Sequence, residues 1–86
     1  MFDQLVQTEC LRQTALKQAG KFKFEIGEPG CSIYRSVSIL TEELGEVARA
    51  VNDGDRVNLR EELVQVAACC KKWWMYLEEE DRDMEA

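Results

Sequence analysis

The chain has 86 residues, 17 acidic against 11 basic side chains, a formal charge of −6 and no histidine. That length allows one small domain with a modest core, and the acidic balance argues against nucleic acid as a partner, since phosphate backbones are met by clustered Lys and Arg. Without histidine, Ser-His-Asp and Cys-His catalysis are excluded, and four cysteines outside C-x-x-C spacing (Cys10, Cys31, Cys69, Cys70) make a zinc site a poor expectation.

Residues 2–19 read as a first helix, with Phe2, Leu5, Leu16 and Ala19 on one face and Gly20 as its stop. Glu9 and Arg12 interrupt that face, either as an ion pair or because the face borders a site. Residues 20–31 hold three of the five glycines and the single proline, so a loop is expected. Its aromatics, Phe22 and Phe24, are expected to pack on the helices, with stacking on a ligand as the alternative. Lys21 and Lys23 are the cations best placed there to reach phosphate oxygens.

Ser32 is the expected N-cap of a second helix running to about residue 52. Ile33, Val37, Leu40, Leu44, Val47 and Val51 step by four and three, close to a coiled-coil repeat. Glu43 and Glu46, one turn apart, lie at the edge of that stripe in a column with Ile39 and Ala50, whereas Glu42 points to solvent. Gly54 ends the helix. Asn58 with Glu61 gives a capping-box signal for a third helix, striped by Leu59, Leu63, Val66, Cys70, Trp73 and Leu77. Val64, Ala67 and Trp74 widen its apolar surface beyond what one partner helix covers, which predicts a dimer. Glu62 and Gln65 flank this second stripe, with Lys72 and Tyr76 further along the same edge. Residues 78–86 form an acidic tail expected to fray into solvent. The whole reads as a single domain over residues 1–86.

An antiparallel hairpin turning at Gly54 brings the two acidic edges together, because Glu46 stands eight residues before the glycine and Glu62 eight after it. Carboxylates half-tucked against a core are costly unless something positive meets them. The reading from the residues is a shared divalent cation, and an all-oxygen donor set suits Mg²⁺, with Mn²⁺ as an alternative. No stretch reaches the ~20 apolar residues of a membrane span, and Met1-Phe2-Asp3-Gln4 lacks the basic start of a signal peptide. A reduced, cytoplasmic protein is therefore expected, with no membrane partner.

The segments L-T-E-E-L-G-E-V-A-R-A (40–50) and N-L-R-E-E-L-V-Q-V-A-A (58–68) resemble the MazG-like, all-α nucleoside triphosphate pyrophosphohydrolases. The signature of that family is E-x-x-E, a short spacer, then E-x-x-D. The likeness covers about residues 32–77, and E-x-L-R-Q at 9–13 extends it into the first helix. It implies acidic positions that bind Mg²⁺ between helices, water attacking the α-phosphorus, and release of a nucleoside monophosphate and pyrophosphate. It also implies a homodimer or tetramer in which paired subunits build a four-helix-bundle core.

Carried across, Glu43 and Glu46 match the first pair and Glu62 the first acid of the second, as metal ligands and catalytic carboxylates. Gln65 stands where the pattern has Asp. Its carbonyl still ligates a hard cation, but one of four negative charges is gone. Lys21, Lys23, Lys72 and Tyr76 are the substrate-binding candidates. Two other readings stand beside the hydrolase: a nucleotide-binding module that has lost turnover, and a helical dimeric interaction protein with no small ligand.

Overall fold

The computed structural model describes residues 1–21 and 24–85 and is built of three helices, α1 (Phe2–Gln18), α2 (Ile33–Asp53) and α3 (Arg56–Glu85). Lys23 and Phe22 lie outside the described residues, so their expected roles at phosphate and in packing are not placed. Among the described residues there is no strand, in agreement with the all-α expectation.

The helix ends follow from local chemistry. The Arg35 N–H donates to Ser32 Oγ at 3.2 Å, so Ser32 caps α2 as its residue type suggests. At the other end Gly54 takes φ +67°, and its N–H reaches the carbonyls of Ala50 and Val51, a left-handed turn that side chains resist. The cap of α3 differs from expectation. Asp55, three residues before Asn58, accepts the Asn58 N–H at 3.0 Å through Oδ1, so Asn58 lies inside the first turn and α3 begins at Arg56. An acidic cap at that dipole end serves the orphan N–H groups better than an amide one turn later. The acidic tail also departs from expectation: α3 stays helical to Glu85. Glutamate is a good helix former, and Glu78 stands four residues before Arg82, the favourable order for an ion pair along a helix.

Helix α3 is central. Both α1 and α2 pack on it, and they do not pack on each other. The inner face of α1 is Val6, Glu9, Cys10 and Gln13, displaced from the expected Phe2–Leu5–Leu16–Ala19 face. The Cys10 thiol donates to the Ala68 carbonyl at 3.6 Å, and Val6, Cys10 and Ala68 form the buried cluster.

In the hairpin the contact runs along Ser36, Ile39, Glu43, Glu46 and Ala50, with Ser36 and Ala50 buried and the others half-buried. Small side chains in that column let the helices approach closely. The apolar stripe beside it therefore faces outward in the single chain: Val37 and Leu44 are each 51% exposed and Trp74 of α3 is 66% exposed.

The connecting loop is pinned over α3. Ile26 is 2% exposed, and Gly27 adopts φ +96° with its Cβ position 3.0 Å from the Lys72 carbonyl oxygen. A side chain there would crowd that backbone carbonyl in a conformation that residues other than glycine rarely adopt. Thr14 donates to Glu25 Oε1 at 2.8 Å and Lys17 pairs with Glu28 at 3.4 Å, which ties the loop to α1 as well.

Candidate metal centre and adjoining cavity

Because α1 and α2 flank α3, carboxylates from all three helices meet along its two seams. Glu62 of α3 is 9% exposed, and Glu43 of α2 is half-buried. Each keeps one carboxylate oxygen, Oε2, buried and without a hydrogen-bond partner. An orphaned buried acceptor costs free energy, and two of them on facing helices are the donors that a hard cation satisfies.

The electrostatics agree. Burial raises the Glu43 carboxyl above its ordinary value, and the charges of Glu62, Glu9, Glu46 and Glu42 raise it further. Burial raises Glu62 too, helped by Glu46, Glu61 and Glu9. Negative charge is thus concentrated at the α2–α3 seam, answered from its flanks by Arg49 beside Glu46 and by Arg12 near Glu43.

Glu46 stands in the same column but turns partly outward, its Oε2 3.7 Å from Arg49 Nη1. Among the described residues no three acidic or thiol side chains converge closely enough to enclose a metal. What suits a hard cation is narrower, the two unpartnered oxygens of Glu43 and Glu62, with Glu46 adjacent.

Glu9 is the acid that sequence reasoning placed only as a charge on the inner face of α1. It is 9% exposed. Arg12 donates to it twice, Nε to Oε1 at 2.7 Å and Nη2 to Oε2 at 2.8 Å, and Gln13 Nε2 donates at 2.8 Å. Burial pushes Glu9 upward, but these bonds, with the charges of Arg12 and Lys72, hold it below its ordinary value.

A cavity of about 610 Å³ opens beside Glu43. It is lined by Gln65, Lys21 and Lys72 of the expected residues, and also by Arg12, Phe24 and Arg35. Tyr76 lines neither this cavity nor its neighbour. Lys72 is already engaged: its ammonium donates to Glu25 Oε1 at 3.0 Å, with both side chains mostly buried. The Arg35 guanidinium lies over the Phe24 ring at 3.5 Å, a stacked pair worth about 0.5–2 kcal/mol. That pair is invisible in the sequence, because ten residues of loop and first helical turn lie between its members. Cys69 also faces the cavity, but burial pushes its thiol up to about 11, so it stays protonated and is neither nucleophile nor ligand at neutral pH.

The chemistry available is therefore specific. A half-buried carboxylate with one oxygen short of a partner, Glu43, lines a pocket that carries arginine, lysine and an aromatic face, in a volume suited to a small molecule. Comparison with known proteins gives residues 32–72 as a match to the family described as the MazG nucleotide pyrophosphohydrolase domain. Neither curated proteins nor solved structures give a match.

Proposed function

We propose, from the match of residues 32–72 to the MazG nucleotide pyrophosphohydrolase domain, that the chain cleaves a nucleoside triphosphate into monophosphate and pyrophosphate with the help of Mg²⁺. The observation that carries the reading is the pair of buried, unpartnered oxygens on Glu43, which lines a cavity with several cations, and on Glu62 of the facing helix. Glu43, Glu62 and the adjacent Glu46 would hold the ion, with the Gln65 carbonyl as a neutral fourth contact. Mn²⁺ suits the same oxygens. The cation supplies Lewis-acid charge for the phosphate oxygens and for the attacking water.

The protein groups do the rest. Arg12 and Lys21 face the cavity and meet the triphosphate, while the Lys72–Glu25 pair fixes the loop that closes one wall. Phe24 and Arg35 offer flat surfaces on which a nucleobase stacks. Water attacks the α-phosphorus, the bond from that phosphorus to the bridging oxygen breaks, and pyrophosphate departs. A carboxylate of the acidic seam takes the proton, and Glu43, raised by burial and by its acidic neighbours, is suited to holding it.

The outward apolar stripes of α2 and α3 suit a second copy of the chain, which would complete a four-helix core. The neutral Gln65 favours one further reading, a nucleotide-binding module with little or no turnover.

Incubating the full chain with individual nucleoside triphosphates and Mg²⁺, with products followed by phosphorus NMR, separates these readings. Monophosphate and pyrophosphate, abolished by chelator, are expected. Binding of non-hydrolysable nucleotide without product would select the inactive module. Neither binding nor product would remove both.

A further inference from the structure

The E-x-L-R-Q segment of α1 (9–13) forms a single bonded chain that begins in α3. The Cys69 thiol lies 4.0 Å from Gln13 Oε1, and Gln13 Nε2 donates to Glu9 Oε2 at 2.8 Å. Arg12 then grips Glu9 through Nε at 2.7 Å and Nη2 at 2.8 Å. Glu9 and Gln13 are buried, and both oxygens of Glu9 are occupied. Arg12 is the member of the chain that reaches outward, its side chain 52% exposed.

Which nitrogens are engaged matters. A guanidinium presents its N–H donors as a rigid planar fork, and Glu9 takes the Nε–Nη2 side of it. Among the described residues no second side chain bonds Arg12, so the Nη1–Nη2 edge is left for another oxyanion. Parallel bonds from such an edge are how arginine holds phosphate. Place matters equally. Arg12 and Gln65 line both cavities, whereas Glu43 lines the first and Glu9 the second. The guanidinium therefore stands at their boundary, close enough to Glu43 to feel its charge, and its anchor lies behind it.

We propose that Glu9 is a positioning residue for Arg12, holding the guanidinium side-on so that its Nη1–Nη2 edge meets the phosphates of a nucleotide in the cavity of Glu43, with Gln13 steadying Glu9 from behind. The inference rests on the nucleotide reading above and names the group that aims its arginine. An arginine loose in solvent loses side-chain entropy when it binds. One already gripped by a buried carboxylate has lost it on folding and is preorganised. The negative charge of Glu9 opposes phosphate, so preorganisation has to outweigh it, and the sign of the Glu9→Gln effect decides between the two.

The test is calorimetry on the full chain in saturating Mg²⁺, with the non-hydrolysable α,β-methylene analogues of the nucleoside triphosphates as probes and thermal melts to check folding. The analogue that wild type binds most tightly is carried through Glu9→Gln, Arg12→Gln, Arg12→Lys and the double variant Glu9→Gln with Arg12→Gln. Arg12→Gln is expected to weaken binding by about tenfold, the size of one lost charge-assisted hydrogen bond. Arg12→Lys keeps the charge without the fork and is expected to bind as weakly. Glu9→Gln should lose about as much as Arg12→Gln, and the double variant no more than either, because the carboxylate acts only through the arginine. A purely structural ion pair lowers the melting temperature and leaves affinity alone.

Unchanged or tighter binding in Glu9→Gln overturns the proposal, and so do losses that add in the double variant. Full affinity in Arg12→Lys overturns it as well, an arm that serves if Glu9→Gln does not fold. In each of these cases binding by wild type leaves the nucleotide reading standing. No binding of any analogue by wild type sinks that reading and this inference together.

Discussion

Replacing Glu62 by Gln tests whether the seam carries a deficit that a cation relieves. In the metal-free protein this carboxylate is 9% exposed, lacks a partner on Oε2, and faces the negative charges of Glu46, Glu61 and Glu9. A buried polar group left unsatisfied costs about 1–3 kcal/mol. The amide keeps the shape and removes the charge, so the variant should recover the lower end, about 1 kcal/mol. For a chain of this size that raises Tm by about 4–8 °C. Metal acts the other way. At a free cation concentration about a hundredfold above Kd, wild type gains about 2.7 kcal/mol, and the variant gains little. The order of stability should therefore invert: Glu62→Gln melts higher in chelator, wild type higher in Mn²⁺. Far-ultraviolet circular dichroism at fixed protein concentration and near neutral pH reads both. A variant that melts lower in chelator, with an undiminished Mn²⁺ shift, would refute the reasoning.

The pH dependence of the metal-free protein carries the same signature. Glu43 and Glu62 have folded values above their ordinary 4.5, so the folded state binds more protons in that window, and stability should fall as pH rises from about 4.5 through the raised values. Glu9 works oppositely: held below 4.5, it contributes stability above that value and loses it as pH falls through its lowered one. Urea midpoints across mildly acidic pH should therefore pass through a maximum that Glu43→Gln with Glu62→Gln flattens; a profile that the double variant leaves unchanged counts against the buried charges. Leu44→Lys places charge on the outward stripe, where Leu44 is 51% exposed. Sedimentation should show weaker self-association with helix content kept, and an unchanged mass would exclude that face. Gly54→Ala forces a side chain into φ +67° and should cost about 1 kcal/mol, or about 4–8 °C in Tm.

Most of the secondary structure was legible in the sequence, because caps and breakers act locally: Ser32 and Gly54 mark α2 without help from the rest of the chain. Packing was not. Period alone identifies Leu44 and Val37 as one apolar face, but whether that face meets the same chain or another depends on shape. The small residues Ser36 and Ala50 won the intrachain contact. That the acidic edges of α2 and α3 share a seam was readable because both lie on one hairpin, where distance along the chain converts to distance in space; the register count put Glu46 opposite Glu62, whereas Glu46 turns toward Arg49 and the buried oxygens belong to Glu43 and Glu62. The place of Glu9 was not readable, since its neighbours on α3 are more than 50 residues away and nothing in a helical repeat specifies which groove α1 will occupy. The Asp55 cap was hidden by a second, equally good signal at Asn58.

Helices α1 and α2 are two arms fixed to a single mast, α3, which both pack on while not packing on each other. A molecule lodged in the cavity that Arg12 and Gln13 of one arm share with Ile39 and Glu43 of the other would be a strut between them. Occupancy of the cleft and the attachment of α1 then become one equilibrium: whatever loosens the first arm also empties the cleft, and whatever fills the cleft makes the molecule stiffer as a whole.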